Sequence, residues 1–339
     1  MSQPQTLVTF GEIMMRLSPP GFQRLVQTES LDVKFGGGEA NVAVALGRWG
    51  YPAKHVTCFP DSELGQAAAA AYRKYGVDTS AMVFRGERIG LYFLENGAAM
   101  RSSRIIYDRK DSAFAHLDPS WFDWNAILQG AGWLHWTGIS PAISANATAT
   151  LEQGLLTARK YGITISGDLN YRRNLWKWGK TVDQVMPGLS EYCDIAICDL
   201  QEAKDIFGIQ INPRSENAFV DMAQQVMERL PNLKKILATY RDQVSATHNR
   251  LQGRLYDGHE YLETPYFDIN PIVDRIGGGD AYMAGFIYGL HKFQDDFQAL
   301  LFATAASALK HTHEGDFNLC TVDEVLQLMG GDTSGRIVR

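Results

Sequence analysis

Asp274-Arg275-Ile276-Gly277-Gly278-Gly279-Asp280-Ala281-Tyr282-Met283-Ala284-Gly285-Phe286 runs three consecutive glycines into a helix that carries small residues at Ala281, Ala284 and Gly285. Glycines let a backbone approach an anion closely and turn several N–H groups toward it, and a helix N-terminus adds positive dipole. Asp280 stands at the mouth of that anion site. A carboxylate there repels phosphate unless a transferable proton or a metal lies between them, which is how a kinase uses an Asp to accept and aim the proton of an attacking hydroxyl. The competing reading is an ordinary Asp N-cap after a glycine turn.

A second glycine run, Phe35-Gly36-Gly37-Gly38-Glu39-Ala40-Asn41-Val42-Ala43, opens another helix near the start of the chain. It does not follow G-x-G-x-x-G, and no strand feeds directly into it as a dinucleotide fingerprint requires. It reads as a close-packed turn that offers backbone N–H groups and Asn41 to a hydroxylated substrate, or else as a capped helix packed tightly on a sheet.

Between these runs, short apolar segments alternate with helical patterns. Strands are expected at Leu7–Phe10, His55–Phe59, Trp133–Gly138, Ile163–Asp168, Asp194–Cys198 and Lys235–Thr239. Helices are expected at Glu39–Trp49, Ser62–Tyr75, Asn146–Tyr161 and Ser215–Leu230, three of them stopped by a glycine. Such alternation implies an α/β fold with a mostly parallel sheet and helices on both faces. Gly90–Glu95 and Arg104–Arg109, joined through Asn96-Gly97, break the pattern and with Leu17–Phe35 suggest a small β lid. A hairpin is expected around Asp257-Gly258, and Gly278–Met329 reads as wholly helical. One kinase-sized domain over residues 1–330 follows, with lid elements at about 12–35 and 88–112 and a disordered tail over 331–339.

The chain has 339 residues, 45% of them hydrophobic, with 32 basic and 38 acidic residues giving a net charge of −6. No Lys/Arg cluster recurs along a face, which argues against a nucleic-acid surface. Cys58, Cys193, Cys198 and Cys320 make no C-x-x-C pair and no zinc spacing, so they are expected as buried thiols in a reducing compartment. No apolar run approaches membrane-spanning length and the polar N-terminus does not read as a signal peptide, so a cytoplasmic location is expected.

Gly36–Asn41 and Gly277–Asp280, in this order, resemble the two signatures of the PfkB (ribokinase-like) carbohydrate kinases, and the likeness covers nearly the whole chain. Phe10–Met14, Gly90–Phe93, Tyr107–Ala113 and Asp168–Arg172 resemble the branch that phosphorylates 2-keto-3-deoxygluconate. The resemblance implies a ribokinase-like three-layer α/β/α core with a lid and homo-oligomers formed through the lid. It also implies transfer of a phosphoryl group from ATP, with Mg²⁺, to the terminal hydroxyl of the sugar acid, giving 2-keto-3-deoxy-6-phosphogluconate.

On this resemblance Gly37, Tyr92, Tyr107, Arg109, Ile139 and Arg172 contact the substrate, and Asp280 is the base beside Gly277, Gly278 and Gly279. Asp199 opens the segment that helps organise magnesium, and Glu202 is its metal-side carboxylate, although a helix N-terminal acid explains Glu202 equally well. Thr239 and Arg241 are expected at the ATP phosphates, and Asp316 or Thr312 at the substrate. Arginine suits a carboxylate held in two places, which favours a sugar acid over a neutral ketose such as fructose or a non-catalytic regulator. Gly278 stands where the family has Ala, which should reduce rigidity without changing chemistry, and Asp199 stands where it has Asn. His311 and His313, lacking a third ligand, are expected as packed or solvated residues, and the tryptophans as core or interface.

Overall fold

A computed structural model describes residues 5–212 and 214–333. Within it, nine strands follow one another across the main sheet in the order Tyr261–Glu263, His248–Tyr256, Lys235–Ser245, Ile195–Ile197, Thr164–Asp168, Ala131–Thr137, Thr6–Phe10, Ala53–Phe59 and Val77–Asp78. From Lys235–Ser245 to Val77–Asp78 every pairing is parallel. The hairpin Lys235–Ser245/His248–Tyr256 adds an antiparallel edge, and the turn at Asp257-Gly258 joins the next pair as expected.

Both faces of this sheet are covered. Leu7 and Leu237 point into one apolar cluster and Val8 and Ile236 into the other, as the period-two pleat requires. Helices Gly38–Arg48, Glu63–Arg73, Gly278–Phe293 and Asp296–Lys310 cover the first face. Ala145–Lys160, Val182–Ser190, Leu200–Phe207 and Ala218–Arg229 cover the second. The result is the expected three-layer ribokinase-like arrangement. All four cysteines are buried and unpaired, and among the described residues no helix is long and apolar enough to cross a membrane.

A separate four-stranded sheet, ordered Asp32–Gly36, Met14–Ser18, Gly90–Glu95 and Arg104–Asp108, is the expected lid. Against the expectation that no strand feeds the first glycine run, Asp32–Gly36 hands the chain directly to the helix that starts at Gly38, so the lid and that run share a junction.

The end of the chain is not wholly helical. Helix Asp296–Lys310 stops at His311, and residues 311–321 loop back before Val322–Met329. Gly315 adopts φ +94°, and the loop carries Asp316 against the second glycine turn: a Cβ on Gly277 would lie 1.9 Å from the Asp316 carbonyl oxygen. Helical periodicity in the sequence had no means of revealing that return. Most of the tail expected to be disordered, 334–339 of 331–339, lies outside the described residues.

Candidate active site

The two glycine runs, far apart in sequence, meet at the carboxyl ends of the central strands, where ligands of open α/β sheets bind. Gly277 takes φ +83°, a left-handed conformation that glycine adopts without strain, and it caps the helix that follows. No side chain caps that helix, and among the described hydrogen bonds no protein acceptor takes the N–H groups of Gly278, Gly279 or Asp280. They open into a cleft of about 490 Å³ lined by both glycine runs, the lid and the strand ends.

Asp280 is not an N-cap. It lies in the first turn, and its carboxylate is held from across the cleft by Asn41, whose Nδ2 donates to Oδ2 at 2.7 Å. Asn41 is oriented in turn by the Gly37 N–H, which donates to its Oδ1 at 3.3 Å. Burial pushes the Asp280 carboxyl up to about 7, the Asn41 bond pulls it back, and the Glu39 and Asp316 charges push it further up. A base poised near neutrality is what proton transfer at physiological pH favours.

Glu39 does not reach into the cleft. It is buried beneath it, and its Oε1 accepts from the Thr137 hydroxyl and the Ser140 hydroxyl at 2.8 Å each and from the Thr137 N–H at 3.2 Å. Burial raises its carboxyl despite those bonds. It ties the first helix to the loop after Ala131–Thr137 and adds negative charge behind Asp280.

A second acidic group lies along the strand ends. Burial and then the Asp280 charge push Asp168 up to about 7; burial and then Asp168 and Asp199 push Glu202 up to about 8. Glu202 also closes a capping box: its Oε2 accepts from the Asp199 N–H at 3.0 Å while Asp199 accepts from the Glu202 N–H at 2.8 Å. The helix N-terminal reading of Glu202 is therefore met by this capping box. Among the described residues no three His, Cys, Asp or Glu groups gather as a closed metal cage. Mg²⁺ does not need one, since it keeps waters and takes one or two carboxylates plus phosphate oxygens. Asp168 and Glu202 repel one another in a buried setting, and the neighbouring Asn170 Oδ1 is buried without a partner, so the donor set fits such an ion.

The cations show which arginine the sequence misjudged. Arg109 does not line the cleft; its guanidinium pairs with buried Glu12, Nε donating to Oε2 at 2.8 Å with a second bond from Nη2. Arg172 and Arg241 do line it. Arg172 makes only a long bond, 3.4 Å, to the carbonyl of its own neighbour Tyr171, and Arg241 has no described hydrogen-bond partner. Burial lowers the Arg241 pKa, and repulsion from Arg275 and Arg172 lowers it further. Two guanidinium groups face one space with no described ion pair, although Arg172 acts across it on Asp168 and Asp280, and together they favour an anion.

The remaining expected residues, Gly37, Tyr92, Tyr107, Ile139, Asp199, Thr239 and Asp316, all line the same cleft. Asp316 also accepts from the Tyr92 hydroxyl and from Arg16 Nη1 at 2.8 Å, while Arg16 Nη2 reaches Asp274 at 2.6 Å. Arg16, in the lid, went unnoticed in the sequence because nothing local marks it. His311 is packed as expected: burial pushes its imidazole down to about 4, and its ring abuts Gly278. A Cβ on Gly278 would lie 2.6 Å from His311 Cε1, so glycine here admits the histidine and its absence of a methyl is not simply lost rigidity.

Comparison with known proteins agrees with this geometry. The family model described as pfkB family carbohydrate kinase matches residues 4–322. The 2-dehydro-3-deoxygalactonokinase of Haloferax volcanii is 31% identical over 97% of this chain and 98% of its own. The structure of the 2-dehydro-3-deoxygluconokinase of Thermotoga maritima is 40% identical with TM-score 0.91, covering 96% of this chain and 99% of that one. A putative 2-keto-3-deoxygluconate kinase from Enterococcus faecalis is 29% identical with TM-score 0.91, covering 100% and 99%.

Replacing Asp280 by Asn is expected to lower kcat by roughly 10²–10⁴-fold, the usual contribution of a general base. The same change should raise the melting temperature at pH 8. A carboxyl raised from 3.8 to about 7 keeps its proton in the folded state while the unfolded chain has lost it, so the group destabilises the fold as pH rises through that window. Steady-state kinetics and thermal melts at pH 5 and pH 8 check both signs.

Proposed function

The chain belongs to the pfkB family of carbohydrate kinases, and we propose that its acceptor is a 2-keto-3-deoxy sugar acid, phosphorylated on the terminal hydroxyl to give, from 2-keto-3-deoxygluconate, 2-keto-3-deoxy-6-phosphogluconate. The observation that carries this reading is the pair Arg172 and Arg241, neither held in an ion pair, in a cleft that also holds the half-buried Asp280. A neutral ketose gives such guanidiniums nothing to bind beyond the nucleotide, whereas a sugar acid brings its own carboxylate. The names of the relatives, which act on 2-dehydro-3-deoxy sugar acids of both the gluconate and galactonate series, support the acceptor class and leave the epimer open.

Kinases of this family use ATP. In the proposed reaction the acceptor hydroxyl oxygen attacks the terminal phosphorus, its proton passes to the Asp280 carboxylate, and ADP leaves with the bond electrons. Gly277, Gly278 and Gly279 direct N–H groups and the helix dipole at the phosphoryl oxygens, whose negative charge must be stabilised in transit. Arg172 holds the acceptor's carboxylate, with Gly37, Asn41, Tyr92, Tyr107, Ile139 and Asp316 around the rest of the chain of hydroxyls. Arg109 contributes indirectly, through Glu12, by fixing the lid strand beside Gly90. Arg241, Thr239 and Asp199 face the nucleotide. Glu202 and Asp168 would hold Mg²⁺, which neutralises phosphate charge when bound. The cation would offset the carboxylate repulsion that, after burial, raises Glu202.

The exposed face of the lid supports a second proposal, that two copies of the chain associate there. Ile106 on one edge strand of the lid and Val33 on the other are exposed, as are Val26 and Met100 in its loops, while Ile105 and Tyr107 face the cleft. Exposed apolar side chains gathered on one small sheet favour an interaction site. Light scattering should report a multimer, and Ile106→Asp should shift it to monomer; a monomeric parent chain removes the proposal.

The acceptor is tested by ADP release with 2-keto-3-deoxygluconate, 2-keto-3-deoxygalactonate, fructose and ribose in parallel. The keto acids are expected to turn over, and Arg172→Gln should raise their KM by about 10- to 100-fold, the loss of one charged hydrogen-bonding partner. Turnover confined to fructose or ribose would overturn the sugar-acid reading while sparing the kinase.

A further inference from the structure

Lys310 is completely buried, and no step of the phosphoryl transfer uses it. It ends helix Asp296–Lys310, and its Nζ donates to two backbone carbonyls, those of Asp274 and His313, each at 3.4 Å. These belong to the two segments that converge on the glycine turn. Asp274 precedes it by three residues, and His313 lies in the return loop whose Asp316 carbonyl presses on Gly277. Lys310 Cε itself lies 3.3 Å from where a Cβ of Gly277 would be. The ammonium therefore sits directly behind the turn, on the side away from the cleft.

The surrounding charges require a cation there. Asp274 only accepts: its Oδ1 takes the Ile276 N–H at 3.0 Å, and its Oδ2 takes Arg16 at 2.6 Å and the Gly315 N–H at 3.0 Å. Asp316 likewise accepts from Arg16 and from the Tyr92 hydroxyl. Acceptor-only carboxyls are ionised ones. Two buried carboxylates against Arg16 alone leave one negative charge uncompensated beside the phosphoryl site, and a protonated Lys310 completes the balance. Burial pushes the Lys310 amine down and Arg16 adds to that, while Asp274 and Asp316 oppose it in part. If packing were the only requirement, an apolar side chain of similar volume would fill the space without the desolvation penalty of an ammonium.

We propose that Lys310 is a positioning residue, an internal cation tethered to the fold that clamps the Asp274 and His313 carbonyls so that the N–H groups of Gly277–Gly279 stay aimed at the phosphoryl group. The clamp is a property of the fixed scaffold, so it acts on the chemical step more than on binding. It rests on the kinase activity and not on the identity of the acceptor, and any sugar that the wild-type enzyme turns over serves in the test.

The test compares Lys310→Met and Lys310→Gln with wild type in kcat, in KM for both substrates and in melting temperature. It uses ammonium chloride or tetramethylammonium chloride at equal ionic strength. The proposal predicts a loss of about tenfold or more in kcat, with KM changed less than threefold. Lys310→Ala, which vacates the site, is assayed alongside: ammonium is small enough to enter it and should restore part of the loss there, and tetramethylammonium should not. If Lys310→Ala is unfolded at the assay temperature, ammonium must raise its melting temperature above that in tetramethylammonium. Unchanged kcat, or a loss in Lys310→Ala that the two cations affect equally, overturns the proposal.

Discussion

The carboxylate of Asp280 is half-buried in the wall of the cleft and held by a single described hydrogen bond, from the amide of Asn41, 239 residues away in sequence. Much of the architecture serves that contact. The parallel sheet sets the carboxyl ends of its strands in one row, the lid hands the chain to the helix that carries Asn41, and the return loop after Lys310 seats the glycine turn that carries Asp280. An amide is suited to this task because it orients a carboxylate while adding no charge of its own. A lysine or arginine in its place would pull the carboxyl down and leave a weak base. Asn41 therefore fixes direction, and burial sets basicity.

The same economy leaves the site electrostatically unsatisfied. Asp168, Glu202 and Asp280 are all pushed up by burial and by one another, while Arg241 is pushed down by burial and by neighbouring arginines. Arg172 offsets Asp168 and Asp280 only in part. Perturbed groups of both signs in one cleft are expected where a ligand carrying both a cation and several anionic oxygens completes the set. Immediately behind, Arg16 is by contrast ion-paired with both Asp274 and Asp316, and Lys310 is held by two backbone carbonyls.

Much of this was legible in the sequence because it depends on local signals. Alternating strand and helix patterns, the two glycine runs and the break at Gly90–Arg109 gave the layers, the lid and the place of Asp280. What the sequence hid was long-range partner choice. Arg109 resembles a substrate ligand by its segment, yet Glu12, 97 residues earlier, claims it once the lid strands are in register. Gly278 looked like a lost alanine until His311 was seen packed on it. Nothing near Lys310 distinguishes it from an exposed lysine at a helix end, because its burial arises from a loop that helical periodicity concealed.

Asp280 is a half-buried carboxyl poised near neutral pH. The most direct measurement is infrared difference spectroscopy of the carboxyl stretch, titrated from pH 4 to 9 in wild type and in Asp280→Asn without nucleotide. The account predicts a protonated carboxyl band that titrates near pH 7 and is missing from the variant. A spectrum in which Asp280 is already ionised at pH 5 would contradict it.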